Sequence, residues 1–311
     1  MIFKNIPIWE NNNNIILQSY LLNNSTEFNQ NLKRPVALVL PGGGYITTSD
    51  REAEGVALAF ASRGYHAFVL RYSCGEKALM PQPILDAFKA ISILRKNAEE
   101  WYIDPNRIVA CGFSAGGHLA SCLATMWNKP EIAENLGCHS ESFKPNAVIL
   151  SYPVIELPNP INEPINTGVP EAALEQFKEN IGSSLEEAIL IKNGMVHFDI
   201  IGEMHKNIIG RDSKAAQDLS SYSTNLLVSK DTVPSFVWTT ATDELIPASS
   251  SMKYVQAMLE HGINVEFHLF VKGPHGLSLA TDLTAGSPDF INKEVSVWFD
   301  MSLAWLAKTF G

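Results

Sequence analysis

With 311 residues, 46% of them hydrophobic and 18% charged, the chain has ample apolar material for a large core. Its formal net charge of −10 argues against nucleic acid or an anionic membrane surface as a partner and leaves neutral and cationic ligands open. The segment Met1 to Glu10 lacks the apolar stretch and small-residue cleavage site of a signal peptide, and no run reaches membrane-span length, so a cytoplasmic location is expected.

In chain order, the runs Ile6 to Trp9 and Ile15 to Leu22, separated by the polar tract Asn11 to Asn14, read as short antiparallel strands at a sheet edge. Val36 to Leu40 is the first central strand. Arg51 to Ser62 reads as a helix stopped at Gly64, His66 to Tyr72 as a strand, and Pro83 to Ala98 as an amphipathic helix. Arg107 to Cys111 is apolar and strand-like, and His118 to Trp127 continues as a helix. Ala147 to Tyr152, Ser235 to Thr240 and Val265 to Val271 are further strands, with helices over Pro247 to Glu260 and from about Lys293 to Lys308. Such alternation predicts an α/β fold, a mostly parallel sheet with helices on both faces. Cys74, Cys111, Cys122 and Cys138 are widely spaced, two of them inside apolar elements, which points to reduced thiols, with neither a zinc motif nor a redox pair.

Between Glu156 and Leu219 the rhythm breaks. Four prolines (158, 160, 164 and 170) precede helix-like stretches at Glu171 to Ile181 and Ser184 to Ile191. An insertion of this length cannot be a bare loop, and residues 157–218 are expected to form a cap over the strand ends within one domain spanning 1–311.

Chemistry concentrates at Gly112-Phe113-Ser114-Ala115-Gly116-Gly117, where the apolar run to Cys111 turns into a helix. A serine flanked two residues either side by glycine, on a strand-to-helix turn, is the pattern of a nucleophile elbow. The Ala115 amide would face a developing oxyanion at the helix N-terminus. Neither a dinucleotide spacing nor a P-loop lysine supports a phosphate-binding alternative. A serine nucleophile needs a base and an acid to orient it. Asp243 follows the strand Ser235 to Thr240, with Glu244 as the runner-up acid. His275, in Gly273-Pro274-His275-Gly276, follows Val265 to Val271. His118, four residues beyond Ser114, is expected to brace the elbow instead. His197, Asp199 and His205 could be written as a metal set, but no helical i, i+4 pairing supports one, so neither metal nor cofactor is expected. Pro41-Gly42-Gly43-Gly44-Tyr45 follows the first central strand, and Gly43 and Gly44 are the expected amide donors completing an oxyanion hole with Ala115.

Taken together, the triple glycine with Tyr45, Ile103-Asp104-Pro105-Asn106-Arg107, the elbow with His118, and Asp243 with His275 resemble the α/β-hydrolase superfamily. Within it they resemble the esterase and lipase group, near the bacterial acetyl esterases and acetylxylan-esterase-like sugar-ester hydrolases. Pro41 stands where that group often has a histidine. The resemblance implies an α/β-hydrolase fold and serine ester hydrolysis of short acyl groups, such as acetate on an oligosaccharide, with a homo-oligomer possible. A serine peptidase, an aryl-formamide hydrolase and a non-catalytic binding protein on the same fold are the alternatives.

Overall fold

In the computed structural model, which describes residues 1–27, 29–160, 163–181, 183–210 and 219–311, the β-branched and aromatic runs line up as strands of one eight-stranded sheet. In chain order these strands are β1 (Ile2–Trp9), β2 (Asn12–Leu21), β3 (Arg34–Leu40), β4 (His66–Arg71), β5 (Ile103–Phe113) and β6 (Ala147–Ser151). After β7 (Ile165–Pro170), β8 (Ile189–Lys192) and β9 (Met195–Phe198), which form a separate sheet, come β10 (Ser235–Thr240) and β11 (Val265–Phe270). The large sheet has the order β1-β2-β4-β3-β5-β6-β10-β11. Strand β2 runs antiparallel to both its neighbours, and every pair from β4 to β11 is parallel.

The helices are α1 (Glu54–Ser62), α2 (Gln82–Lys96), α3 (Ser114–Met126), α4 (Pro130–Leu136), α5 (Leu174–Ile181), α6 (Ile200–Ile209), α7 (Ala248–Glu260) and α8 (Trp298–Phe310). Two-residue periodicity sorts the strands' side chains between two cores. Val36, Leu38 and Leu40 of β3 join Ile108 and Ala110 of β5 beneath α2, α3 and α7. Ala37 and Val39, with Val109, Cys111 and Phe113, face α1 and α8 on the other side. Each fully buried large apolar side chain contributes about 1.5–3 kcal/mol, so these continuous apolar strands are stable only when both faces are covered. No described helix is long and apolar enough to cross a membrane.

The predicted strands fall within a few residues of the observed ones. The helix expected from Arg51 begins with a 3-10 turn at Asp50–Glu52 before α1. The closing helix starts at Trp298 instead of Lys293, because Asn292 Oδ1 accepts the amides of Glu294 and Val295 and holds a turn there. Helices α4 and α6 have no counterpart among the expected elements. The inserted segment departs most. Of the helix expected over Ser184 to Ile191, only a 3-10 run, Ser183–Ala188, is present, and Ile189–Lys192 is strand β8. Asn193 and Gly194 both have positive φ, 52° and 70°, which suits a two-residue hairpin turn, and β8 pairs antiparallel with β9. Residues 161, 162, 182 and 211–218 of the expected cap lie outside the described residues.

Strand β3 has β4 on one side and β5 on the other, so the chain reverses its direction of winding there. In open α/β sheets the crevice at the carboxyl ends of such strands is the binding position. The glycine run after β3 and the serine after β5 meet at that point.

Candidate active site

Backbone geometry at the elbow explains its residue types. Phe113 ends β5 in extended conformation and Ser114 then takes a φ of 50°, a strained setting for a residue with a Cβ, costing on the order of 1–3 kcal/mol. A Cβ on Gly112 would lie 2.1 Å from the Gly116 carbonyl oxygen, and one on Gly116 would lie 2.0 Å from the Leu40 carbonyl oxygen. Both obstacles are backbone atoms that cannot step aside, so only glycine admits this approach of α3 to β3. On the far side, the Val154 amide donates to the Ser114 carbonyl at 3.1 Å.

The three side chains expected from loops far apart in sequence form one line. His275 Nε2 is 2.8 Å from Ser114 Oγ, and His275 Nδ1 is 2.8 Å from Asp243 Oδ2. Asp243 is fixed from behind, its Oδ1 accepting the amides of Leu245 at 3.0 Å and Ile246 at 2.9 Å. Thr240 and Thr242 hydroxyls donate to the Gly273 carbonyl, tying the loop of Asp243 to the loop of His275. Because a carboxylate can only accept, the Nδ1 proton points at Asp243 and Nε2 is left as acceptor for the serine hydroxyl. Burial opposes charge on the ring, yet the Asp243 carboxylate, through its charge and hydrogen bond, and then the Glu52 charge hold the imidazole above its ordinary range against the opposing Arg51 cation. Glu244, the runner-up acid, lies on the wall of the adjoining cavity.

Gly43, Gly44 and Tyr45 carry the loop after β3 through positive φ, at 124°, 61° and 56°. The Gly42 amide is taken by Glu52 Oε2 at 2.7 Å. Among the described residues, no protein acceptor takes the Gly43 or Gly44 amide, and Ala115 sits in the first turn of α3, where an amide has no intrahelical acceptor. His118 is fully buried in contact with this loop, its Nδ1 2.6 Å from the Tyr45 hydroxyl and its Nε2 2.8 Å from the Tyr222 carbonyl. Nε2 donates to that carbonyl and Nδ1 accepts from the phenol, so His118 braces the loop as a neutral ring, its pKa pushed down to about 4 by burial.

Two residues at the site escape a reading of the sequence. Glu52 is buried beneath the glycine loop, and Tyr152, with a φ of 37°, lays its ring 5.0 Å from that of His275. Neither carries a motif: Glu52 reads as an ordinary acidic residue at a helix start. Among the described residues no group of three His, Cys, Asp or Glu is placed to hold a metal. Asp199 instead caps α6 through the Gly202 amide, and His205 Nε2 accepts the Asn159 amide at 3.3 Å.

Beside the His275 ring opens a cavity of about 670 Å³, lying between Ile165 and Ile200 of the inserted segment and Thr242, Glu244 and Leu245 of the acid's loop. Ile200 also faces the glycine loop, for a Cβ on Gly44 would come within 3.0 Å of its Cγ2.

The sequence profile of the BD-FAE family matches residues 25–194, more than half of the chain. Among curated proteins, Endo-1,4-beta-xylanase B of Butyrivibrio fibrisolvens is 31% identical over 262 residues, 82% of this chain and 34% of its own length. The Acetylxylan esterase of Xylanibacter ruminicola is 26% identical over 248 residues, 78% of this chain and 41% of its own length. The chain thus spans well under half of these relatives. Three solved structures align over nearly all of both chains. MGS-M1, an α/β-hydrolase enzyme from a deep-sea metagenome library, is 33% identical at a TM-score of 0.69, covering 100% and 98% of the two chains. The carboxylesterase Cest-2923 of Lactobacillus plantarum is 26% identical at 0.77, covering 99% and 98%. The acetyl ester-xyloside bifunctional hydrolase of Caldicellulosiruptor lactoaceticus is 28% identical at 0.70, covering 98% and 96%. With its mostly parallel sheet, strained elbow serine and this pattern of likeness, the chain belongs to the BD-FAE family and has the α/β-hydrolase fold.

Proposed function

We propose that the protein is a serine carboxylic-ester hydrolase that removes short acyl groups, such as acetate, from small or carbohydrate esters through an acyl-enzyme. The unbroken hydrogen-bonded line Asp243–His275–Ser114, beside the Gly43, Gly44 and Ala115 amides, carries this reading. Ser114 Oγ attacks the ester carbonyl carbon while its proton passes to His275 Nε2, and Asp243 stabilises the imidazolium. The carbonyl oxygen becomes an oxyanion facing the three amides, each such donor contributing about 3 kcal/mol to the barrier reduction. The C–O bond to the alcohol then breaks, and His275 gives its proton to the departing oxygen. Water, deprotonated by His275, attacks the acyl-enzyme, and the acid leaves as Ser114 recovers its proton.

The leaving oxygen must reach His275 Nε2, and the 670 Å³ cavity that His275 helps to line, too large for acetate alone and of a size for a sugar ring, is the place this reading gives to the alcohol. In this role residues 157–218 act as a cap, with Ile165 and Ile200 forming the wall opposite the acid's loop. The Xylanibacter relative is an acetylxylan esterase and the Caldicellulosiruptor protein an acetyl ester-xyloside hydrolase, and likeness to both supports the short acyl group.

The test is hydrolysis of p-nitrophenyl esters from acetate to octanoate, and of acetylated xylo-oligosaccharide, by the wild type and Ser114→Ala. Acetate release that falls steeply with acyl length and vanishes in Ser114→Ala is expected. Near wild-type turnover by a folded Ser114→Ala would remove the mechanism.

A further inference from the structure

Resting on the ester-hydrolase reading, we propose that Glu52 is a positioning residue for the reaction: its buried carboxylate ties the oxyanion loop to the loop of the base and keeps a negative charge facing His275. Glu52 is only 4% exposed. Its Oε2 accepts the Gly42 amide at 2.7 Å, and its Oε1 accepts the Tyr152 hydroxyl at 2.6 Å. Tyr152 in turn accepts the Ser278 amide at 2.9 Å, three residues beyond His275, and its ring stands edge-on to the imidazole at 5.0 Å. Glu52 therefore holds the glycine loop directly and the His275 loop through Tyr152, joining two loops far apart in the sequence.

Its neighbour Arg51 reinforces the same joint. The Arg51 guanidinium donates to the Gly276 carbonyl, and the Arg51 carbonyl accepts the Ser278 hydroxyl at 2.8 Å. Of these two consecutive residues Arg51 grips the base's loop directly, while Glu52 grips the glycine loop and reaches the base's loop through Tyr152.

The choice of a carboxylate is informative. Both of Glu52's oxygens are met by uncharged donors, and a buried charge without a cation partner is costly for stability. The two donors require two acceptors, which a carboxylate offers and an amide, with one oxygen and one NH2, does not, and the charge so placed also has a use in the reaction. The groups facing His275 supply one: the Asp243 carboxylate at Nδ1, Ser114 at Nε2, the neutral Tyr152 ring, Glu52 behind that ring, and the opposing Arg51 cation. Ester attack creates an imidazolium at His275, and a second carboxylate, beyond the Tyr152 ring, favours that charge.

The experiment compares wild type, Glu52→Gln and Tyr152→Phe in kcat, KM and the pH profile of kcat/KM on p-nitrophenyl acetate, with the His275 imidazole titrated by NMR. Glu52→Gln keeps the shape, removes the charge and turns one of the two acceptors into a donor, so the His275 titration, which reads the charge, is the deciding measurement. We expect kcat to fall about tenfold, less than the 10²–10³ lost with a whole oxyanion donor, with KM within about twofold. The acid limb and the His275 titration both move to lower pH, since a lost anion weakens the imidazolium. Tyr152→Phe retains the charge and the Gly42 contact but cuts the link to Ser278, so kcat falls while the acid limb stays at its wild-type position. A Glu52→Gln enzyme with kcat within about twofold of wild type, or with an unmoved His275 titration, overturns the proposal. If Glu52→Gln does not fold, an unchanged kcat in Tyr152→Phe does so. The NMR titration needs no turnover, so it distinguishes a wrong role for Glu52 from a wrong reaction, for which Ser114→Ala is the separate test.

Discussion

Replacing Gly116 by alanine tests the elbow where it is tightest. The added methyl would lie 2.0 Å from the Leu40 carbonyl oxygen and 2.5 Å from that of Pro41. Relief requires α3 and the end of β3 to part by about 1 Å, carrying Ser114 away from the glycine loop, and misplacement on this scale costs about 10²-fold in rate. Overpacking of this kind destabilises by about 1–3 kcal/mol, which lowers Tm by about 2–5 °C in a chain of this size. The assay is kcat/KM on p-nitrophenyl acetate together with thermal unfolding followed by circular dichroism. Gly137→Ala is the control: its φ of 64° is left-handed, so the substitution strains the backbone, but nothing lies within 4 Å of the position a methyl would take. It should lose about 1 kcal/mol of stability and none of the activity. A Gly116→Ala enzyme matching wild type in both rate and Tm would refute the account of why glycine is required there.

Asp243→Asn is expected to lower kcat by about 10⁴ while KM changes little, since the amide no longer fixes the Nδ1 proton; a loss below tenfold in steady-state kinetics would contradict the assigned acid. Ile200→Trp should shrink the cavity beside His275, so kcat/KM should fall more for acetates of bulky alcohols than for methyl acetate, and an equal loss across the series would place the alcohol elsewhere. Stability should decline as pH falls from about 6.5 towards 4, because the buried His118, with its pKa pushed down to about 4, stays neutral in the fold while the unfolded chain takes up the proton. The full shift corresponds to about 3 kcal/mol, and Tm measured against pH should decline less steeply in His118→Asn; identical slopes would count against this origin.

Where sequence pattern and tertiary demand coincide, the fold is legible. Leu40, Cys111, Ser151 and Thr240 lie on strands buried on both faces, whose unbroken apolar runs announce themselves. Ser114, Asp243 and His275 are legible because each must follow a strand, and the strands are clear. The inserted segment is harder. Ile189-Leu190-Ile191 continues a helix-like stretch in the sequence, although the Asn193-Gly194 pair after it is a hairpin signal, so β8 and β9 lie within reach of a closer reading. Glu52 and Tyr152 lie beyond it. What distinguishes Glu52 from any exposed glutamate at a helix start is burial under a loop contributed by other strands, and no local pattern encodes that.

Strand β11 forms the outer edge of the large sheet, bonded only to β10, and most of its residues remain partly exposed. His275, the proposed base, is carried on the loop that leaves this strand, whereas Ser114, the proposed nucleophile, stands at the turn that leaves β5 in the buried centre of the sheet. Edge strands with little covering open at lower free energy than central ones. Under mild heat or denaturant the molecule should therefore be disarmed from its rim inward, with hydrolysis lost while the elbow and its flanking strands still hold their hydrogen bonds.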